Sequence, residues 1–308
     1  MGGEPPHRLV RSLGEKYGQE RATEWLGRLP EITAAAVARR GLDVERVIAP
    51  GGRSALLVLV RRSDGSPATL KIAPPFAAPG PERAALAHWQ GWGAVELLDP
   101  AAGPAEVPTA EDGALLLERL HPEMSLRSLP EAKALLEAAG TVRRLWVEPP
   151  ADHPFETVAG RTARQADTLR ASTDETAAPL VSAALTARDA LCTDGPAETL
   201  LLHGALRQGK VLAGDRVPWL AVGPEPLVGE RAYDLARLVR DRVEDLVAAS
   251  SGASSARRRV GRLADSLDLD RERVRGWTLF RAVESGVRAL TAGRRQSAEL
   301  LLEFAGWL

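Results

Sequence analysis

Leu201-Leu202-His203-Gly204-Ala205-Leu206-Arg207-Gln208-Gly209-Lys210-Val211-Leu212 is the stretch on which the fold turns. An apolar strand enters a glycine-containing turn and leaves it as a second apolar strand, the layout that sets polar side chains at the mouth of a cleft. A further strand is expected at 219–222, so the loop sits among short strands near 200–202 and 211–212.

Upstream, residues 9–39 carry Leu13, Tyr17, Trp25, Leu26, Leu29, Ile32 and Val37 at helical spacing, with Pro30 marking a break between two helices and Gly41 closing the second. Residues 46–49, 55–61 and 68–72 read as strands, separated by Pro50-Gly51-Gly52 and Asp64-Gly65. A proline-rich loop leads to a helix at 82–91, and 95–98 with 113–120 complete an antiparallel sheet. From Leu129 onward the chain is expected to be mainly helical. Strands first and helices afterwards argue for an α+β fold of two lobes rather than alternating units. The expected division is 1–120, terminal helices plus a sheet-rich lobe ending in a linker, and 121–308, a helical lobe carrying the loop, with a cleft between them. Residues 171–178 and 248–256 read as mobile polar loops, and Arg257-Arg258-Arg259 as a solvated helix start.

Composition narrows the classes. With 308 residues, 44% of them hydrophobic, the chain can bury a large core. A formal charge of -1 argues against general nucleic-acid binding, which needs a basic surface. The single cysteine, Cys192, has no internal disulfide partner, pointing to a reducing cytoplasm; it reads as a small buried apolar residue. No run approaches the ~20 apolar residues of a membrane span, so the expectation is a cytoplasmic protein without membrane contact. The five histidines, His7, His88, His121, His153 and His203, show no paired metal-ligand spacing.

Together these segments resemble the aminoglycoside and hydroxyurea antibiotic phosphotransferase family, a branch of the kinase-like fold. The family's catalytic loop reads His-Gly-Asp-x-His-x-x-Asn, and His203, Gly204, Ala205 and Lys210 stand at its His, Gly, Asp and Asn places. Its metal-binding segment resembles Trp-Leu-Ala-Ile-Asp-Pro-Lys-Pro followed by Val-Gly-x-x-Ala-Tyr-Asp-Leu. Here Trp219-Leu220-Ala221-Val222-Gly223-Pro224-Glu225-Pro226 is followed by Val228-Gly229-Glu230-Arg231-Ala232-Tyr233-Asp234-Leu235. Residues 68–72 look like the strand bearing the phosphate-binding lysine, Lys71, and Glu82 looks like the carboxylate that holds it. Residues 113–120, including Glu118, are similar to the segment whose backbone meets adenine. The resemblance extends to residues 267–270 and 281–285.

Such kinases use an aspartate base, with an asparagine and a second aspartate on the metals. Ala205, Lys210 and Gly223 stand in those places, which implies a catalytically degenerate protein, a pseudokinase serving as a binding or scaffolding module of the kind that accompanies specialised metabolism. This reading requires no cofactor or metal. Its expected ligand is ATP or another phosphate-bearing molecule bound without metal by Lys71, Glu82, Gly51, Gly52, Glu118 and Lys210, with Arg207 adding positive charge; its partner, protein or small molecule, is unspecified. The alternatives are an ATP-dependent small-molecule O-phosphotransferase with a displaced or metal-independent site, and a ligand sensor. Glu225 is either a displaced metal ligand or the ion-pair partner of Lys210. Asp215 reads as a solvated turn residue, and His203 and Asp234 as braces of the loop.

Overall fold

The computed structural model describes residues 4–99, 113–193 and 198–308. Contacts divide the chain into two compact units: the first runs up to Met124 and takes in Leu212–Leu220, and the second comprises Ser125–Val211 and Ala221–Leu308. The segment 212–220 thus groups with the first unit although the chain on both sides of it belongs to the second.

Helices α1 (His7–Tyr17) and α2 (Gln19–Arg39) open the first unit. The break lies at Gly18, whose φ of 94° suits glycine, and not at Pro30, which α2 carries in its interior. A proline inside a helix costs about 3 kcal/mol, and α2 withstands it because Trp25, Leu29 and Ala36, on both sides of Pro30, are buried in the core. Strands β1 (Asp43–Val47), β2 (Leu56–Arg61), β3 (Pro67–Ile72) and β4 (Ala114–Glu118) form one antiparallel sheet in that order. Along β3 the period of two sends Ala68, Leu70 and Ile72 into the core shared with α1 and α2, while Lys71 points to the other face. Helix α3 (Pro79–Trp89) follows β3, beginning three residues earlier than expected because prolines suit its first turn. Residues 95–98 do not form a regular strand; a single bridge, Leu97 to Leu117, ties them beside β4. Strands β5 (His121–Ser125), β8 (Val211–Ala213) and β9 (Trp219–Ala221) make a small sheet in the order β5-β8-β9.

In the second unit α4 (Glu131–Leu145), α5 (Val158–Arg170) and α6 (Ala178–Thr193) precede the short strand β7 (Leu200–Leu202). Strand β10 (Leu227–Gly229) runs antiparallel to β7 and parallel to β6 (Glu156–Thr157). Helices α7 (Arg231–Val239), α8 (Val243–Ala248), α9 (Gly252–Leu267), α10 (Arg271–Thr291) and α11 (Arg295–Gly306) complete it. Trp277 of α10 is fully buried, edge-on to Tyr233 at 5.3 Å and to Phe280 at 6.1 Å.

Three expectations are corrected here. Only 249–251 separates α8 from α9, so most of the 248–256 stretch is helical. Arg259 is not solvated: it is buried, donating to the carbonyls of Val239 (3.1 Å) and Asp241 (2.5 Å) and to Glu131 (2.7 Å). Cys192, on α6, is exposed rather than buried. No helix among the described residues is long and apolar enough to cross a membrane.

Candidate functional site

The loop between β7 and β8 is held from below by α7. The carboxylate of Asp234, fully buried in the first turn of α7, accepts the backbone N–H groups of His203 (2.9 Å) and Gly204 (2.8 Å) and the Trp146 indole (3.3 Å). Burial pushes this carboxyl up from its usual range, against those donors and the Arg281 guanidinium. Arg281 donates in turn to the carbonyls of Gly204 (2.8 Å) and Tyr233 (3.2 Å). Gly204 has φ of 72°, and a Cβ there would stand 2.0 Å from the Glu225 carbonyl oxygen, so the turn admits only glycine.

At the far end of the loop Gln208, also fully buried, donates its N–H to Asp241 (2.6 Å) and accepts from Arg242 (2.8 Å). His203 has no solvent exposure. Its Nδ1 accepts from the Ala205 N–H at 3.3 Å, which leaves Nε2 protonated to donate to the Val222 carbonyl at 3.2 Å. Burial, with Lys210 nearby, lowers its pKa to about 3, so the ring is neutral.

Positions 205, 210 and 223 lie along this loop and the segment after β9. Ala205 is fully buried. Val222 donates its N–H to the Lys210 carbonyl at 2.9 Å, which sets the two segments side by side. Across that pairing the Lys210 ammonium donates to the Gly223 carbonyl at 2.7 Å and lies 3.8 Å from the Glu225 carboxylate. A Cβ on Gly223 would stand 4.0 Å from Lys210 Nζ. The ammonium therefore occupies the place beside residue 223 toward which an acidic side chain would point. Of the two readings of Glu225, the geometry is that of an ion-pair partner of Lys210. An ammonium has only protons to offer, and Mg²⁺ requires oxygen ligands. The residues at 210 and 223 do not fit that metal. Among the described residues no group of three or more His, Cys, Asp and Glu could hold a metal ion.

In the first unit Lys71 contacts both carboxylate oxygens of Glu82, 2.5 Å from Oε1, and both side chains are nearly buried. Glu118, expected near a nucleotide, has its carboxylate held by Arg216 at 3.1 and 2.9 Å and by the Glu96 N–H at 3.1 Å. Gly51 and Gly52 lie in the β1–β2 connection. Added Cβ atoms there would meet the carbonyl oxygens of Ile48 at 2.6 Å and Ala55 at 2.7 Å, so tight backbone packing by itself demands glycine. Asp215 is in the β8–β9 turn, exposed and 2.9 Å from His121. The structure therefore joins Lys71 with Glu82, and separately groups His203, Lys210, Gly223 and Glu225. Trp146, Asp241, Arg242 and Arg281 escaped the sequence reading as loop braces. Arg281 opens a segment already noted for its resemblance, whereas Asp241 and Arg242 carry no local signal.

Comparisons with known proteins agree with this architecture. Residues 40–293 match the family described as aminoglycoside/hydroxyurea antibiotic resistance kinase. The chain is 30% identical over 294 residues to the streptomycin 6-kinase of Streptomyces glaucescens, covering 92% of this chain and 90% of that one. It is 35% identical over 312 residues to the hydroxyurea phosphotransferase of Kitasatospora aureofaciens, covering 94% and 84%. Among solved structures, aminoglycoside phosphotransferase APH(4)-Ia superposes with a TM-score of 0.62 at 14% identity, over 90% of this chain and 97% of its own. Choline kinase LicA from Streptococcus pneumoniae gives 0.61 at 11% identity, over 91% and 99%. The fold is the kinase-like α+β fold of the aminoglycoside phosphotransferases. With a match spanning most of its length and relatives at this identity, the chain belongs to the aminoglycoside/hydroxyurea antibiotic resistance kinase family.

Proposed function

We propose that this chain is a member of the family in which metal-dependent phosphoryl transfer has given way to binding, a pseudokinase that takes an anionic, phosphate-bearing ligand without Mg²⁺. The observation that carries the reading is the Lys210 ammonium on the Gly223 carbonyl, at the two positions where the family motif has metal ligands. Loss of a general base alone slows a reaction by about 10² to 10⁴, which can leave measurable turnover. Loss of the metal removes several kcal/mol of charge stabilisation on the transferring group as well. A tethered ammonium keeps a positive charge for binding phosphate oxygens, but it cannot bridge two of them as a divalent ion does. The chain works in this reading as a cytoplasmic binding module whose partner is a small molecule or another protein.

One observation favours a second reading, an active small-molecule O-phosphotransferase with a displaced site: the Lys71–Glu82 pair is intact, and relatives of similar length are a streptomycin 6-kinase and a hydroxyurea phosphotransferase. Steady-state assays with ATP, Mg²⁺ and either streptomycin or hydroxyurea separate the two. No turnover is expected, and ATP should raise the melting temperature equally in Mg²⁺ and in EDTA. Turnover that vanishes in Lys71→Ala would establish the second reading instead.

A further inference from the structure

Helix α2 carries two adjoining stripes. Ala22, Trp25, Leu29 and Ala36 enter the core, while Arg21, Arg28 and Arg39 recur at whole-turn spacing along the neighbouring, exposed face. A groove of about 510 Å³ follows that face and is closed on its other side by Pro75 and Phe76, in the connection from β3 to α3. This volume is within the range of about 300–1,000 Å³ typical of small-ligand sites. Trp25, Ile32 and Phe76 give the groove apolar surface. Its charged lining is three arginines against one carboxylate, Glu24. Arg21 lies 5.3 Å from the centre of the Phe76 ring, so a cation and an aromatic face are already paired at one end. Arg28, exposed midway along the groove, has no hydrogen bond or ion pair with any described residue.

We infer that this groove binds an amphipathic organic anion, its apolar body along Trp25, Ile32 and Phe76 and its carboxylate, sulfonate or phosphate on Arg28. A neutral ligand would make only the weaker, uncharged form of the guanidinium hydrogen bonds, and a polycation would meet an excess of like charge. Arg21 and Arg39 extend the positive field along the groove. Lys71 and Glu82 do not line the groove, although Pro75 and Phe76 belong to the connection that spaces those two residues. The inference does not depend on whether the chain transfers phosphate.

Calorimetric titration of the full chain with 2-naphthoate and with its neutral counterpart 2-naphthamide tests it. The carboxylate should bind at least about tenfold more tightly than the amide, a difference lost in Arg28→Glu and reduced in Arg21→Gln. Arg258→Glu, an exposed change on α9, should leave it intact, and unchanged melting temperatures confirm that the variants fold. Equal affinity for the two probes, no binding of 2-naphthoate at millimolar concentration, or full binding by Arg28→Glu would each overturn the inference.

Discussion

Burial of His203 makes the loop sensitive to acid. The folded ring, with its pKa lowered to about 3, stays neutral where the unfolded one, near 6.5, takes up a proton. The folded state therefore binds fewer protons below 6.5. The stability contribution is complete above that pH and is lost as pH falls, at up to about 1.4 kcal/mol per pH unit. Urea unfolding should show the wild type losing about 2 kcal/mol more than His203→Gln between about pH 6.5 and pH 5; parallel declines would mean that the native loop admits the proton. Lys210 and Gly223 form a second residue-scale unit. In Gly223→Asp the new carboxylate would face the Lys210 ammonium and be neutralised by it, and in Lys210→Asn the opposite ligand is still missing. Only Lys210→Asn with Gly223→Asp removes the ammonium and supplies both oxygen donors. Titration calorimetry should show Mg²⁺ tightening ATP binding by at least about tenfold in the double variant and hardly at all in either single one. If the double variant still ignores Mg²⁺, the remaining geometry of the loop excludes the metal.

Among the elements, α9 matters more than its sequence suggests. Arg257, Arg258 and Arg259 are chemically alike, yet only Arg259 points inward, satisfying two carbonyls at the end of α7 and holding the Glu131 carboxyl of α4 below the usual carboxylate range. Arg259→Ala leaves those carbonyls without donors in a dry site, at a cost of about 3 kcal/mol. Arg258, bonded to Ser254 and Ser255 on its own helix, should cost about 0.5 kcal/mol or less when truncated. Urea midpoints of the two variants check this, and similar losses would return Arg259 to the surface. Such cases mark what a sequence discloses. Alternation along β3 and the glycine turns were legible because they are local. The continuity of α2 through Pro30 and the inward turn of Arg259 depend on partners far along the chain: Leu29 packs with strands of the sheet, and Glu131 lies 128 residues from Arg259. No window of sequence contains them.

At the scale of the whole molecule, the relatives align along nearly the full chain, so its framework is the family's from end to end of that alignment. That framework is not built in order. The first unit takes in Leu212–Leu220, the β8–β9 hairpin, after a long excursion through the second. Arg216 of the hairpin spans Glu118 and the Gly91 carbonyl (3.0 Å), and a Cβ on Gly214 would meet the Leu120 side chain at 2.9 Å, so the hairpin is packed in rather than appended. On the ribosome, then, the N-terminal part of the protein cannot finish folding when its own stretch has been made; Glu118 waits for a guanidinium that is translated almost a hundred codons later. Nascent chains stalled when residue 124 has cleared the exit tunnel should remain open to protease around 114–118, and those stalled once residue 220 has emerged should become protected there. Early protection would mean that the sheet closes without its late-arriving hairpin.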